Sequence, residues 1–331
     1  MHVVIAMPVF RDWEVASLLC QRIDQQIAQL DHVDVRILLV DDGSPEPLSG
    51  WTPFDPTHIR RIDVLQLRRN MGHQRAIAMG LCLIQSDIEC DAILVMDADG
   101  EDRAEDVVRL IDRFRESSGS IVFATRQRRF ASVAFRIGYW SYRVLHRILT
   151  GVAVREGNFS IIPRSAVSRL VVMSELWNHY AGAIHQSKLP FDRLPVDRGR
   201  RLAGKSHMDL VALVVHGLSG ISTFYDVVAT RILIASIACM LLLAVALAAV
   251  VGIRLGTHLA IPGWATLTGG LGLLLMLQFV SMSFSLVFLM INTRQNMTIV
   301  PTRDYRVYVD SVRALWSGAS QSVEPPGTAS S

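Results

Sequence analysis

Apolar positions change their rhythm along this chain. In the first part they come in short continuous runs, among them VVIAMPVF, VRILLV, IDVLQL, AILVM and SIVFA. Short apolar runs bounded by polar clusters read as strands buried on both faces. Between them the spacing becomes helical. One helix is expected from about Asp12 to Leu30 and a second in GHQRAIAMGLCLIQ, where Ile77, Met79, Leu81 and Ile84 share the pattern. A third is expected in RAEDVVRLIDRF. Strand and helix in alternation predict an α/β fold with a mostly parallel sheet covered on both faces. Ligands of such sheets bind beyond the carboxyl ends of the strands. Asp41, Asp42, Asn70, Asp97, Asp99 and Arg126 fall at those ends and are expected to converge on one rim.

Later the pattern becomes continuous apolarity. Ile232 to Ile253 carries no charge, and as a helix it is long enough to cross about 30 Å of hydrocarbon. A second uncharged run extends from about Trp264 to Ile291, with Gln278 its most polar side chain. Gly256, Pro262 and Gly263 break the chain between them, so the pair predicts a helical hairpin in the membrane. The alternative is a hairpin buried inside a soluble protein. Arginines crowd both outer flanks, whereas the link carries only Arg254 and His258. Positive charge favours the cytoplasmic side, which places the large domain and the C-terminus there.

The expected division is a sheet domain over 1–205, an amphipathic juxtamembrane helix over 206–230, the hairpin over 231–292 and a tail over 293–331. Leu210, Leu213, Val214, Leu218 and Ile221 give the juxtamembrane segment its apolar face. The aromatic and basic stretch FRIGYWSYRVLHRIL reads equally as an interfacial helix or as core packing. The small polar end SGASQSVEPPGTASS is expected to be disordered. The opening MHVVIAMPVF runs directly into the first strand and does not read as a signal peptide.

Composition adds exclusions. Half of the 331 residues are hydrophobic, and the formal net charge is only +3, which gives no argument for nucleic acid. Cys20, Cys82, Cys90 and Cys239 lack zinc-site or redox spacing and read as buried or free thiols in a reducing compartment. Neither GxGxxG nor GxxxxGK[ST] occurs, which disfavours dinucleotide enzymes and nucleoside triphosphatases.

The stretch ILVMDADGEDRAED ends a strand in a burst of carboxylates. Glu105 and Asp106 suit the positive end of the next helix. Asp97 and Asp99 instead offer hard oxygen ligands of the kind that Mg²⁺ or Mn²⁺ takes together with phosphate. A nucleotide diphosphate held through such an ion fits this set better than a glycine loop does. Asn70 reads as a helix cap, and His73 is not expected to be a ligand.

In order along the chain, MPVFRDWE, VDDGS, LRRNMGHQRAIAMGL, MDADGED, FATRQRR, GNFSIIPRSAV and RGRRLAGKSHM resemble the motifs of family 2 inverting glycosyltransferases of the dolichyl-phosphate mannose synthase type. The likeness is greatest to the bacterial branch with two C-terminal spans that glycosylates undecaprenyl phosphate, and it covers roughly residues 1–300. It implies a GT-A type domain that takes a nucleotide-diphosphate sugar as donor and a polyprenyl phosphate as acceptor, at the lipid bilayer of a bacterial inner (plasma) membrane with the catalytic domain cytoplasmic. Pro8, Asp12, Asp41, Asp42 and Asp97 would then serve the nucleotide sugar, and Asp97, Asp99 and Glu101 the Mg²⁺ or Mn²⁺. Arg198, Arg201 and Ser206 would face acceptor or diphosphate groups, while Asp99, Asn158 and Arg126 would act in catalysis. Arginine suits phosphate because its planar fork offers parallel donors; the alternative for these clusters is a basic face against anionic lipid. Self-association is left open.

Three of the motifs depart from the family pattern. Gly100-Glu101 stands for Leu-Gln, Asn158 for Asp and His207 for Lys. An anionic phosphate needs no base to become a nucleophile, so Asn158 is compatible with a phosphate acceptor. A sugar hydroxyl on a lipid-linked glycan is the competing acceptor. It would need a base, for which Glu156 is the nearest candidate. A catalytically degenerate membrane scaffold is the non-enzyme reading, and the presence of Asp97 and Asp99 speaks against it.

Overall fold

The computed structural model describes residues 1–117, 119–126, 133–152, 156–197, 199, 202, 217–256, 263–295 and 299–318. Two compact units result. One comprises Met1–Ala131, Val154–Leu213 and Ile299–Ser331, the other Ser132–Ala153 and Val214–Thr298.

The first unit is built on β1 (His2–Val9), β2 (Asp34–Asp41), β3 (Ile59–Leu67), β4 (Ala92–Val95), β5 (Ile121–Arg126), β6 (Ser160–Pro163), β7 (Phe191–Val196) and β8 (Val309–Ser317). The helices are α1 (Trp13–Ile27), α2 (His73–Asp87), α3 (Ala104–Glu116), α4 (Val133–Thr150), α5 (Arg164–Leu170) and α6 (Tyr180–Ser187), of which α4 belongs to the second unit. The sheet runs β7-β5-β6-β4-β1-β2-β3-β8. β1 pairs in parallel with β2 and β4, β2 with β3, and β5 with β7, as the alternating pattern predicts.

Both faces of this sheet are covered. Along β1, Val3, Ile5, Met7 and Val9 point into a core shared with Trp13, Leu19 and Ile23 of α1 and Val107, Leu110 and Ile111 of α3. Val4 and Ala6 point the other way, into a core shared with Ile77, Leu81 and Ile84 of α2. This period of two explains why the strands read as continuous apolar runs.

Three strands went unseen in the sequence. β6 is only four residues long, too short to show a period, and it inserts antiparallel between β4 and β5. β7 pairs with β5 beyond it. β8 follows the apolar hairpin and lies antiparallel along β3 as an edge strand. The segment before β8 is anchored as well: Tyr305 is buried, and its hydroxyl lies 2.7 Å from Ser86 Oγ of α2. The compact unit therefore takes in residues 299–318, which the sequence reading left in the tail, and it excludes α4, which that reading kept inside 1–205. The last residues, 319–331, lie outside the described residues.

In the second unit, α7 (Tyr225–Gly256) and α8 (Trp264–Gln295) are long and apolar enough to cross a membrane. They pack together where Gly272 of α8 lies against Leu247 of α7. Their apolar side chains are otherwise largely exposed, among them Leu242 and Phe284. α4 joins this unit through Arg231 of α7, which donates to the Ile148 carbonyl at 2.6 Å. Trp140 and Ile148 of α4 are exposed. Of the expected juxtamembrane helix, residues 206–216 lie outside the described residues.

Candidate active site

The parallel strands β1, β2 and β4 end on one rim. At the end of β2, Asp41 and Asp42 are both buried. Asp41 Oδ1 accepts from Ser44 N at 2.9 Å, while Oδ2 is sealed from solvent and makes no hydrogen bond among the described residues. Burial raises its carboxyl above the ordinary value, against lowering by Ser44 and by Arg313 of β8. The turn that follows requires glycine: Gly43 has φ +69°, and a Cβ there would collide with the Arg69–Asn70 backbone.

Asp42 does something the sequence did not disclose. Its two oxygens accept from Met71 N at 2.7 Å and Gly72 N at 2.9 Å, so the carboxylate holds the turn that leads into α2, although no side chain caps the helix itself. Burial also raises this carboxyl, although the Met71 and Gly72 N–H groups oppose the effect. Asn70, expected to be the cap, is not; the N-cap position is Gly72, at φ 90°. Pro8 is buried within β1 opposite Val40. Asp12 is the half-buried N-cap residue of α1. Its loop is tied to that of Asp41, since Arg11 N donates to Ser44 Oγ at 3.0 Å.

The acidic stretch separates into two groups. Asp102 is buried, and its Oδ2 accepts from Asp97 N at 3.0 Å, which closes the loop on itself. Glu105 and Asp106 stand in the first turn of α3, where the dipole favours them. Asp106 is also paired with Arg109 at 2.6 Å. Asp97, Asp99 and Glu101 are half-buried at the rim. Asp99 Oδ1 accepts from Glu101 N at 2.9 Å, an Asx-type turn. Gly100, at φ +79°, lies against Leu202, where a side chain would clash. Gly199 N donates to the Glu101 carbonyl at 2.9 Å and Leu202 N to the Asp99 carbonyl at 3.3 Å. Gly199 and Leu202 are thus tied by their backbone N–H groups to the acidic loop, while Arg198, Arg200, Arg201, Ser206 and His207 lie outside the described residues. Arg126 is the last residue of β5, paired with Val196, and its side chain is likewise outside the description.

Strand register explains why Asn158 reaches this rim. Val95 at the end of β4 pairs with Ser160 at the start of antiparallel β6. Two residues beyond Val95 is Asp97, and two residues before Ser160 is Asn158, so both leave the sheet on the same side. His73, at the start of α2, joins them: its Nε2 lies 3.0 Å from Asp97 Oδ1 and 2.9 Å from Asn158 Nδ2. One ring nitrogen cannot donate to the first and accept from the second at once, so these contacts are alternatives. Burial alone would lower the His73 pKa, but Asp97, with Asp42 and Asp99, outweighs it and raises the value. Gln74 completes the group by donating from Nε2 to Asn158 Oδ1 at 3.1 Å.

Sequence reasoning passed over Gln74 and did not foresee the contact of His73 with Asn158, because Asn158 lies more than eighty residues away along the chain. Glu156, the candidate base, is sealed instead. Its side chain is fully buried, with Oε2 at 2.8 Å from His185 Nε2 and Oε1 at 2.7 Å from Arg193 Nε.

Among the described residues, no group of three or more His, Cys, Asp or Glu side chains is arranged to hold a metal ion. The expected set of Asp97, Asp99 and Glu101 is therefore not a closed protein cage. The paired hard carboxylates still suit Mg²⁺ or Mn²⁺, which commonly take one or two protein carboxylates and complete their shell with phosphate oxygens and water.

Comparison with known proteins agrees with this architecture. Residues 4–171 match the family described as Glycosyl transferase family 2. The uncharacterized glycosyltransferase YkcC of Bacillus subtilis is 27% identical over 231 residues, covering 66% of this chain and 67% of its own length. The bactoprenol glucosyl transferase of Shigella phage SfX is 24% identical over 234 residues, covering 68% and 73% respectively. The undecaprenyl-phosphate 4-deoxy-4-formamido-L-arabinose transferase of Erwinia tasmaniensis is 31% identical over 156 residues, covering 46% of this chain and 45% of that protein.

Proposed function

The chain belongs to glycosyl transferase family 2, and from that premise we propose that it transfers a sugar from a nucleotide-diphosphate sugar to polyprenyl phosphate, inverting the anomeric carbon. The names of two relatives, a bactoprenol and an undecaprenyl-phosphate transferase, support the acceptor class. Within the family, the dolichyl-phosphate mannose synthase type fits best, because MDADGED, GNFSIIPRSAV and a paired apolar hairpin occur in one chain.

One observation carries the choice of acceptor. The rim position where the family has Asp holds the Asn158 amide, and nearby Glu156 is locked between His185 and Arg193. A sugar hydroxyl would need a base there. A phosphate arrives as an anion, so the protein has only to align it and stabilise the departing charge. Asn158 is suited to alignment. Arg126, Arg198, Arg201 and Ser206 are proposed to face donor or acceptor phosphates, and Pro8, Asp12, Asp41 and Asp42 to form or support the nucleoside side. Asp97 and Asp99, with Glu101 beside them, would hold a Mg²⁺ or Mn²⁺ that neutralises the leaving diphosphate.

The test is a screen of labelled nucleotide sugars against purified protein and undecaprenyl phosphate, with and without EDTA. Metal-dependent glycolipid formation supports the reading. Transfer only to a lipid-linked glycan hydroxyl would replace it, and no donor turnover at all would favour the scaffold. α7 and α8 are proposed to sit in the bilayer with the sheet domain on the cytoplasmic side. The same assay in sealed vesicles decides this, since inverted vesicles should turn over added donor and right-side-out vesicles should not.

Asp41→Asn separates stability from binding. The raised carboxyl pKa means that the folded state holds this proton more tightly, so stability is lost as pH rises through the unfolded value toward the folded one. A neutral amide cannot titrate, so the unfolding midpoint of the variant should fall less with rising pH than that of the wild type. The KM for nucleotide sugar should rise in the same variant. An unchanged pH slope of the midpoint with unchanged KM would contradict both expectations.

A further inference from the structure

The Asn158 amide has a direction, and another residue decides it. Tyr180 N donates to Gln74 Oε1 at 2.7 Å. A main-chain N–H can only donate, so this contact orients the Gln74 amide and turns Nε2 toward Asn158. Gln74 Nε2 then donates to Asn158 Oδ1 at 3.1 Å. The reverse setting of Asn158 would bring two NH2 groups face to face. Its Nδ2 is thereby turned to the side of His73, at 2.9 Å from Nε2. Tyr180 itself is immobilised: it is fully buried, with its hydroxyl 2.7 Å from Ser160 Oγ on β6.

We propose that Gln74 is a positioning residue for sugar transfer, which sets Asn158 so that it presents N–H donors to an anionic acceptor oxygen. A carboxylate at position 158 would show oxygen on every side and need no orienting. An amide has one donor end and one acceptor end, so its value to a phosphate depends on which end faces it. The inference rests on the reading of Asn158 as an acceptor-side residue.

Gln74→Glu is the informative change. One carboxylate oxygen still accepts from Tyr180 N, so the tie to α6 persists, but the other now accepts where Nε2 donated. Asn158 should turn over and show its oxygen to the site. The expected result is a fall in kcat/KM for undecaprenyl phosphate of about tenfold or more, with the KM for nucleotide sugar unchanged. In an Asn158→Ala background the same substitution should change the rate by less than about twofold, because nothing is left to orient. Equal losses in both backgrounds, or no loss in the wild-type background, would overturn the proposal.

A second cycle uses no substrate. Gln74→Glu combined with Asn158→Asp sets two carboxylates against each other, so the unfolding midpoint of the double variant should fall further than the single shifts add up to. Additive shifts would remove the juxtaposition on which the inference stands. If the wild type fails to glycosylate undecaprenyl phosphate, the proposed function falls, and the unfolding cycle then decides the Gln74–Asn158 relation by itself.

Discussion

Asp99→Asn is expected to abolish sugar transfer, with kcat reduced by about a hundredfold or more at saturating donor. The change is conservative for the fold. Asn retains an Oδ1 that can accept from Glu101 N, the hydrogen bond that shapes the turn after β4. It removes one of the two negative charges that suit a divalent ion beside a diphosphate. Activity should therefore fall without loss of the unfolding midpoint, and the Mn²⁺ or Mg²⁺ concentration for half-maximal rate should rise in any residual activity. Glu101→Gln should be milder, since Gln keeps a ligand oxygen and is the residue of the family pattern. Near-normal turnover in Asp99→Asn would show that the Asp97–Asp99 pair does not serve the ion.

Glu156→Gln is expected to act on stability instead. Its carboxylate is fully buried and bridges His185 and Arg193. Gln keeps the shape but removes the charge from both contacts, and the Arg193 side chain is half exposed, so the expected loss is about 1–3 kcal/mol. Unfolding by denaturant should report that loss, while kcat per folded molecule stays within about tenfold of wild type. The opposite pattern, a loss of about a hundredfold in kcat at wild-type stability, would make Glu156 a general base and the acceptor a hydroxyl. The two variants thus separate the chemistry of the rim from the scaffold beneath it, although Glu156 and Asn158 stand only two residues apart.

Glu156 also shows how far linear spacing can mislead. Proximity in the chain made it the natural candidate for a base. The antiparallel insertion of β6 carries Asn158 to the rim, whereas Glu156 is held by residues of α6 and β7. Asp42 shows the same limit of the linear view. Its place beside Asp41 at a strand end suggested a ligand but could not show that both of its oxygens hold the turn before α2.

By itself the sequence determined the strands β1 to β5, the helices between them, the carboxylates at the strand ends and the apolar hairpin. Each depends on local information: a period of two or 3.6, a polar residue following an apolar run, or an uninterrupted apolar length. Tertiary structure alone decided the antiparallel placement of β6, the return of β8 to the sheet edge, the hold of Asp42 on the turn before α2, the sealing of Glu156 and the meeting of His73, Gln74 and Asn158. Those outcomes depend on strand register and on hydrogen bonds between residues far apart in the chain. The Val95–Ser160 register sets Asp97 and Asn158 side by side, and the Tyr180 N–H fixes which way the Gln74 amide points. A polar side chain shows its type in the sequence, but its partner, and so its role, exists only once the sheet has assembled.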